Sequence, residues 1–545
     1  MGALTRAALL VATVAATLPA QGRSLTGGSR PGIDVLHYAF DVAFPARAMP
    51  DTMRFVATVV ARRTAPVTTL ALDLVSTLIV DRVTVNGADA AFDRPTDQVH
   101  VTLPPGSLDT LRVAVAYHGI PHAGLDILTD SAGGFTAFGD NYPDRARQWL
   151  ATVDHPSDKA TVEWTVHHPG THRVVANGEL LEETPGRAVG SMVVTRWRSL
   201  RPLYTAVMVI GVARFGVFDL GDTACNLSEL PGCVHQAVWI SPDMRSGMPG
   251  AFSRAGEIVA LFSRMVGPYP YEKLVHVQST SRYGGMENAS AIFYGDAVFR
   301  RGTMSEGLIA HETAHQWFGD AVTEREWPHV WLSEGFATYL AALWTEHSRG
   351  DSAFRDDLVR MRETVLKAKV TTEKPVIDEG LDDLRRVLNS NVYQKAGFVL
   401  HMLRREVGDS AFYRGVRSYY AKYRHGNALT ADFMHEVESS SGTKLDWFFE
   451  QWMRRPGVAG VTMSWLWDPR QRSVLLTATQ TGIGEPYRLN LSVDVTDPKG
   501  EVHRVRVTVP AARVATMHLP IKIDGAPSRV VFDPDVSLLG TITVK

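Results

Sequence analysis

The sequence predicts a multidomain α+β protein in which a mainly helical domain lies between two antiparallel β domains. Apolar residues recur with period two over much of 34–225, which is typical of half-buried strands. Helical patterns replace them over 226–458, and period two returns over 459–545. The length of 545 residues suits three or four domains of ordinary size.

The first β domain is predicted from alternation and from turn chemistry. Every second residue of 36–42 is a large apolar one, and the valines of 83–85 lead directly into Asn86-Gly87. Asn-Gly is a strong hairpin signal because both residues tolerate positive φ. We therefore predict an antiparallel β domain over 34–225.

The middle domain is predicted to be mainly helical. Thr303 with Glu306 fits a capping box that opens a helix, and Gly319 fits its end. The apolar residues of 392–403 fall on one helical face. These patterns continue to the end of the segment at 458, where Pro456-Gly457 interrupts them.

The last domain is predicted to be a small β sandwich over 459–545. Residues 489–495 and 505–509 alternate between apolar and polar. Asp497–Gly500 between them has the composition of a turn, so the two segments read as a hairpin.

Composition excludes several classes of protein. The chain has 56 Lys and Arg against 58 Asp and Glu, a formal net charge of -2, so it lacks the basic excess of a nucleic-acid binder. Hydrophobic residues make up 45% and charged residues 21%, which is the composition of a globular protein and not of a disordered one. After the first twenty residues no segment offers eighteen uninterrupted apolar residues, so no membrane span is expected.

The N-terminus predicts export. Arg6, the apolar run Ala7–Leu18 and the small residues Pro19-Ala20 form the pattern of a secretory signal peptide over 1–20, cut near Ala20. We therefore expect a periplasmic or extracellular location. In such an oxidising compartment the only two cysteines, Cys225 and Cys233, are expected to form a disulfide, with two free thiols as the alternative.

The most informative motif is His311–His315, which reads HETAH. Two histidines four residues apart stand on one face of a helix, where both imidazoles can bind one Zn²⁺. Glu312 between them is placed to accept a proton from water at the metal. The alternative for this motif alone is a structural pair of helical histidines.

A third ligand is available downstream. Glu334 follows His315 after eighteen residues, in the helix-like segment 331–344. Two imidazoles and one carboxylate form a common catalytic zinc set with the fourth position open, whereas a structural zinc site usually closes with a fourth ligand such as Cys. With no Cys near, the sequence predicts one catalytic zinc ion per chain and metal-assisted hydrolysis.

Three segments together resemble the aminopeptidase N family of zinc metallopeptidases, the gluzincins that also include the leukotriene hydrolase. They are Gly284–Asn288 (GGMEN), His311–Asp320 (HETAHQWFGD) and Trp331–Tyr339 (WLSEGFATY). The resemblance implies a saddle-like N-terminal β domain, a thermolysin-like catalytic domain and removal of single N-terminal residues from peptides. Larger family members add a big C-terminal helical domain; none is expected here, which implies a more open site.

The resemblance assigns roles position by position. His311, His315 and Glu334 match the zinc ligands, and Glu312 matches the general base. Glu287, within GGMEN, matches the carboxylate that holds the free α-amine of the substrate.

The sequence departs from the family pattern in two places, one near Tyr393 and one in the N-terminal domain. Tyr393 matches the tyrosine that stabilises the oxyanion, although Ala396 stands where the family usually has Gly three residues later. The family also offers a second amine-binding Glu or Gln from the N-terminal domain. At that place stand Asp140 and Asn141, either of which is a candidate substitute.

The leading hypothesis is therefore a zinc aminopeptidase that acts on peptide substrates. A zinc endopeptidase of the same metal class is the nearest alternative, and dependence on a free α-amine discriminates the two. An inactive peptide-binding scaffold is a third possibility, which the complete set of catalytic residue types disfavours.

Overall fold

The computed structural model describes residues 30–45, 52–106, 109–130, 134–184, 191–242, 250–482 and 484–545. The predicted signal peptide lies outside the described residues. The predicted fold class is confirmed: a β-rich N-terminal domain, a mainly helical catalytic domain and a C-terminal β domain follow one another along the chain. Among the described residues, strands alone follow residue 459, and no large C-terminal helical domain is present.

The N-terminal domain is built from fifteen described strands. They are β1 (Ile33–Ala43), β2 (Met53–Arg63), β3 (Thr69–Asp73), β4 (Ile79–Val85), β5 (Ala88–Asp89), β6 (Phe92–Asp93), β7 (Gln98–Thr102), β8 (Thr110–Gly119), β9 (Leu125–Thr129), β10 (Phe135–Gly139), β11 (Ala160–Pro169), β12 (Arg173–Ala176), β13 (Glu179–Thr184), β14 (Met192–Leu203) and β15 (Ile210–Ala213).

These strands form three sheets. The largest has the order β13-β14-β11-β1-β2-β8-β4-β5, and smaller sheets have the orders β12-β15-β10-β9 and β3-β7-β6. The pairing is antiparallel with one exception, because β1 and β11 run parallel and place Phe40 opposite Trp164. The two rings pack at 4.9 Å between centroids, which fixes this register with a large apolar contact.

The catalytic domain combines a five-stranded sheet with helices. Its strands are β16 (Gly216–Thr223), β17 (Val234–Ile240), β18 (Leu274–Ser279), β19 (Gly285–Met286), β20 (Ala291–Gly295), β21 (Val322–Glu324) and β22 (Gly426–Ala428). The sheet order is β16-β17-β18-β20-β19, and β21 pairs separately with β22. The strand β16 precedes the domain boundary predicted at 225, yet it pairs with the catalytic sheet.

Ten α-helices among the described residues belong to this domain. They are α1 (Ala255–Met265), α2 (Asp296–Arg300), α3 (Glu306–His315), α4 (Trp331–Arg349), α5 (Asp351–Lys367), α6 (Lys369–Glu373), α7 (Ala396–Val407), α8 (Asp409–Tyr423), α9 (Thr430–Ser441) and α10 (Asp446–Phe449). Of these, α1, α2 and α3 contact the five-stranded sheet. A π-helical turn, Asn391–Lys395, precedes α7 and carries Tyr393.

The start of α3 differs from the prediction. Ser305, and not Thr303, caps the helix: its backbone is extended and its side chain accepts a hydrogen bond from the Leu308 amide at 3.2 Å. The Thr303 hydroxyl instead donates to the Val298 carbonyl. The helix ends at His315, four residues before Gly319.

The C-terminal domain consists of two sheets, in agreement with the predicted β sandwich. Its strands are β23 (Ala459–Asp468), β24 (Ser473–Gln480), β25 (Leu489–Thr496), β26 (Val502–Val509), β27 (Val514–His518), β28 (Arg529–Phe532) and β29 (Gly540–Val544). The sheet orders are β27-β24-β23-β29 and β26-β25-β28, and β25 and β26 form the predicted hairpin. Alternate residues of β25 are buried, as a sandwich core requires.

Two further sequence features have a place in the fold. Cys225 and Cys233 are joined by a disulfide in the loop between β16 and β17. Across the part of the chain that the structure describes, no helix has both the length and the apolar character needed to traverse a bilayer.

Candidate metal centre and active site

The helices α3 and α4 bring three potential metal ligands to one point. The Nε2 atoms of His311 and His315 lie 3.2 Å apart, because residues four apart share one helical face. Glu334 near the start of α4 places Oε2 3.4 Å from the first nitrogen and 3.3 Å from the second. Two imidazole nitrogens and a carboxylate oxygen thus converge within the reach of a single cation.

The hydrogen bonds of His315 leave its Nε2 atom available to bind a metal ion. Its Nδ1 lies 3.1 Å from the Phe318 carbonyl, which can only accept, so this nitrogen carries the hydrogen and donates it. The Ser333 hydroxyl lies 3.0 Å from the same nitrogen. The lone pair on Nε2 therefore points toward Glu334, as a zinc-binding histidine requires.

Only one of the two oxygens of the Glu334 carboxylate has a hydrogen-bond partner among the described residues. Its Oε1 accepts a hydrogen bond of 2.8 Å from the Tyr393 hydroxyl. Its Oε2 is buried and has no hydrogen-bond partner among the described residues. A buried carboxylate oxygen facing two imidazoles fits a metal ion, which would replace the missing hydrogen bonds.

Electrostatics also favour a cation here. Although burial disfavours its charged form, positive charge on His315 and His311, when these rings are protonated, lowers the pKa of Glu334 to about 2. The carboxylates of Glu287 and Glu312 lie in the same group of close side chains around His315. Three carboxylates in a buried site need positive charge, and Zn²⁺ suits this mixture of nitrogen and oxygen ligands.

A cavity of about 260 Å³ opens onto the triad. It is lined by Tyr142, Tyr283, Gly284, Gly285, Met286, Glu287, Leu308, His311, Glu312, His315, Glu334, Leu388 and Tyr393. The residues to which the sequence assigns metal binding, the base and oxyanion stabilisation therefore border one space, together with Glu287. The N-terminal domain contributes Tyr142 to this wall.

Glu312 faces the cavity from a tightly packed position. Its side chain is 5% exposed, and burial together with the carboxylates of Glu287 and Glu334 raises its pKa well above the usual value, against the opposing effect of His315. A raised pKa suits a group that takes up and releases a proton near neutral pH. Gly285 makes room for it, because a Cβ at this position would collide with the Glu312 carboxylate.

Gly285→Ala is expected to lower kcat/KM by roughly tenfold to a hundredfold, because the added methyl group displaces Glu312. Steady-state kinetics with an unblocked peptide would measure this loss. Gly284→Ala is the matched control, since the nearest atom to a Cβ there is 4.0 Å away. Equal activity in the two variants would contradict the steric argument.

Asp140 and Asn141 do not border the cavity. Asn141 is fully buried, and its amide group donates to the carbonyls of Thr205 and Met208 and accepts from the Trp149 indole. These three bonds engage both ends of the amide, so the residue holds the backbone in place. The Asp140 carboxylate forms an ion pair with Arg145.

Tyr142, the residue after these two, borders the cavity. Its side chain is 3% exposed, and its hydroxyl has no hydrogen-bond partner among the described residues. Its ring packs edge-on against Tyr283 and Trp327 of the catalytic domain. Sequence reasoning missed this residue because a tyrosine is neither a Glu nor a Gln, and only its position in the chain could have pointed to it.

Comparison with known proteins agrees with this geometry. Residues 254–452 match the Peptidase family M1 domain. The catalytic domain belongs to peptidase family M1. The matched residues include His311, His315 and Glu334, the three side chains of the candidate metal triad.

Several curated relatives are aminopeptidases by name. "Probable aminopeptidase 2" of Sulfurisphaera tokodaii is 25% identical over 346 residues, covering 58% of this chain and 41% of the relative. "Tricorn protease-interacting factor F2" of Thermoplasma acidophilum is 27% identical over 411 residues, covering 71% and 49%. "Aminopeptidase 2" of Candida albicans is 30% identical over 277 residues, covering 47% and 28%. The chain thus spans less than half the length of these M1 relatives.

Solved M1 structures share the fold. The M1 zinc metallopeptidase from Deinococcus radiodurans has a TM-score of 0.69 at 23% identity, covering 79% of this chain and 95% of that one. A glutamate-to-alanine mutant of the Deinococcus enzyme, bound to a Tyr-Ser-Ala substrate, has a TM-score of 0.68 at 22% identity, covering 78% and 95%.

Proposed function

We propose that this protein is a zinc metallo-aminopeptidase that removes single N-terminal residues from peptides, with one zinc ion per chain. The observation that carries the proposal is the shared cavity of about 260 Å³, in which the Glu287 carboxylate lies beside the metal triad and Glu312. A carboxylate fixed beside the reacting centre stabilises a terminal ammonium group and so favours cleavage next to a free α-amine.

His311, His315 and Glu334 would hold the zinc ion. When bound, the ion supplies Lewis-acid chemistry: it polarises the carbonyl and lowers the pKa of bound water. Glu312 takes a proton from the attacking water and passes it to the leaving amine nitrogen. The Tyr393 hydroxyl, already 2.8 Å from Glu334 Oε1, donates to the carbonyl oxygen of the scissile bond as that oxygen gains charge.

Amine recognition rests on Glu287 in this proposal, with Tyr142 on the wall of the cavity in place of a second carboxylate. Glu287 is 6% exposed, and its backbone carbonyl accepts a hydrogen bond from Gln316 at 2.9 Å, which fixes the segment. The backbone that carries the carboxylate is therefore held in place before the substrate arrives, so little free energy is lost in ordering this segment on binding.

Glu287→Ala is expected to raise KM for peptides with a free α-amine by roughly tenfold to a hundredfold, the worth of a hydrogen bond to a charged group. N-acetylated peptides, which the wild type should cleave poorly, should be comparatively unaffected. Steady-state kinetics with matched free and acetylated peptides measures both. If KM rises equally for free and for acetylated peptides, Glu287 has a structural role.

The direct test of the function is a panel of aminoacyl fluorogenic substrates, assayed with and without N-acetylation and with and without a zinc chelator. An aminopeptidase hydrolyses the free substrates only, and chelation abolishes this activity. Efficient cleavage of acetylated peptides would instead favour the endopeptidase alternative. An absence of zinc from the purified protein, or insensitivity to chelation, would overturn the enzyme proposal.

Export is a further part of the proposal. The Cys225–Cys233 disulfide is the kind of bond that persists in an oxidising compartment, and the pattern of residues 1–20 favours secretion. Mass spectrometry of the protein recovered outside the cytoplasm should give an N-terminus near residue 21. An intact N-terminus on cytoplasmic protein would contradict export.

A further inference from the structure

A larger cavity of about 650 Å³ adjoins the metal site. His311 and Tyr393 belong to the walls of both cavities, whereas Glu287 and Tyr142 border only the smaller one. In the proposed binding mode, a peptide whose amine is held at Glu287 and whose scissile carbonyl faces Tyr393 would therefore continue into the larger cavity. Its volume lies in the range of small-ligand sites.

The helix α4 forms the floor of this larger cavity. Thr338, Ala341, Thr345 and Arg349 all line it, and their spacing of three or four residues continues the helical face on which Glu334 stands. Arg349 is the last residue of the helix and lies fifteen residues beyond Glu334. At 1.5 Å per residue the two Cα atoms are about 22 Å apart along the axis.

Three arginines but only two carboxylates line the larger cavity, so its charged lining is not balanced. Of its three arginines, Arg254 is paired with Glu257 and Glu306, and Arg360 is paired with Asp357. Arg349 makes no ion pair with any residue that the structure describes. Its guanidinium only donates a hydrogen bond of 3.3 Å to the Thr345 hydroxyl.

We infer that the larger cavity is a subsite for the C-terminal part of short peptides, with Arg349 binding the terminal α-carboxylate. This inference rests on the proposed aminopeptidase function and adds its substrate class. A guanidinium matches a carboxylate with two parallel hydrogen bonds, so a free peptide C-terminus is the ligand that the residue suits. Glu287 and Arg349 would then hold opposite ends of one substrate.

The separation of the two sites limits the length of the peptide. An extended chain spans about 3.3–3.6 Å per residue, and a helical side chain leans back toward the helix N-terminus. Roughly four to six residues beyond the scissile bond therefore bring the carboxylate to Arg349. A longer polypeptide that stays extended carries its C-terminus past Arg349, so it loses this contact.

The test compares peptides of three to twelve residues as free acids and as C-terminal amides, all with the same N-terminal residue. For wild-type zinc enzyme we expect KM to be roughly tenfold lower for acids than for amides in peptides of five to seven residues, and no difference at twelve. Arg349→Gln should abolish the acid-to-amide ratio. Lys367→Gln, which removes one positive charge from an exposed position of the neighbouring α5 outside the cavity, should keep it.

The outcomes separate this inference from the function on which it rests. If wild type hydrolyses aminoacyl substrates but treats acids and amides alike at every length, the carboxylate subsite is wrong and the aminopeptidase function stands. If Arg360→Gln abolishes the ratio and Arg349→Gln keeps it, the assignment to Arg349 is wrong. If Lys367→Gln and Arg349→Gln both abolish the acid-to-amide ratio, the overall positive charge of this surface is responsible and not a specific subsite. If no substrate is hydrolysed, the proposed function fails and the inference fails with it.

Discussion

Glu312→Gln is expected to lower kcat by about 10²–10⁴-fold, the usual contribution of a positioned general base. Glutamine has nearly the same shape and keeps the packing against Gly285, but it cannot accept a proton from water. The three candidate ligands are untouched, so the variant should bind zinc as the wild type does. Metal analysis of the purified protein and steady-state kinetics measure the two properties separately.

His315→Ala is the comparison for this variant. It removes a ligand atom 3.3 Å from Glu334 Oε2, so zinc content and turnover should fall together. Near-normal kcat in Glu312→Gln would count against the base assignment. Loss of zinc from Glu312→Gln would mean that Glu312 helps to hold the metal ion, and the fall in kcat could then not be assigned to proton transfer.

Tyr393→Phe is expected to lower kcat by about 10²–10³-fold, the cost of losing one donor to a developing oxyanion. KM should change little because the hydroxyl contributes mainly in the transition state. Burial and the nearby Glu334 carboxylate raise the pKa of Tyr393, so the hydroxyl keeps its proton and can donate at neutral pH. Kinetics with one aminoacyl substrate separates kcat from KM.

Tyr339→Phe is the matched control for Tyr393→Phe. Tyr339 is a buried tyrosine of α4 whose hydroxyl lies 3.2 Å from His401 Nδ1, outside the catalytic cavity. Removal of the Tyr339 hydroxyl should lower the melting temperature and leave kcat close to the wild-type value. Similar kcat losses in both variants would show that Tyr393 has a structural role.

Some features of this protein follow from local sequence. The period-two alternation in residues 489–495 and 505–509 predicted a hairpin, and β25 and β26 form one. The spacing of His311 and His315 fixed their shared helical face, because the geometry of a helix depends only on residues three or four apart. Such patterns succeed because the information lies within one element.

Local sequence patterns did not predict which residue has a given role where neighbouring residues have similar chemistry. Thr303 and Ser305 are both residue types that cap helices; in the structure Ser305 accepts from the Leu308 amide, and the Thr303 hydroxyl donates to the Val298 carbonyl. Asp140, Asn141 and Tyr142 are consecutive, yet only Tyr142 reaches the cavity. The amide of Asn141 turns inward to bond the backbone near 205–208, a contact that spacing along the chain does not reveal.

The sequence by itself predicted the histidine pair of the candidate metal site, the glutamate beside it, the third carboxylate at Glu334 and the order of the three domains. The tertiary structure decided what lies around them. It brought the predicted third ligand, Glu334, to 3.4 Å and 3.3 Å from the two imidazoles, packed Gly285 against Glu312, and put Arg349 on the wall of the larger cavity. The reason is physical: spacing within a helix is set by backbone geometry, whereas contacts between elements depend on how distant segments pack.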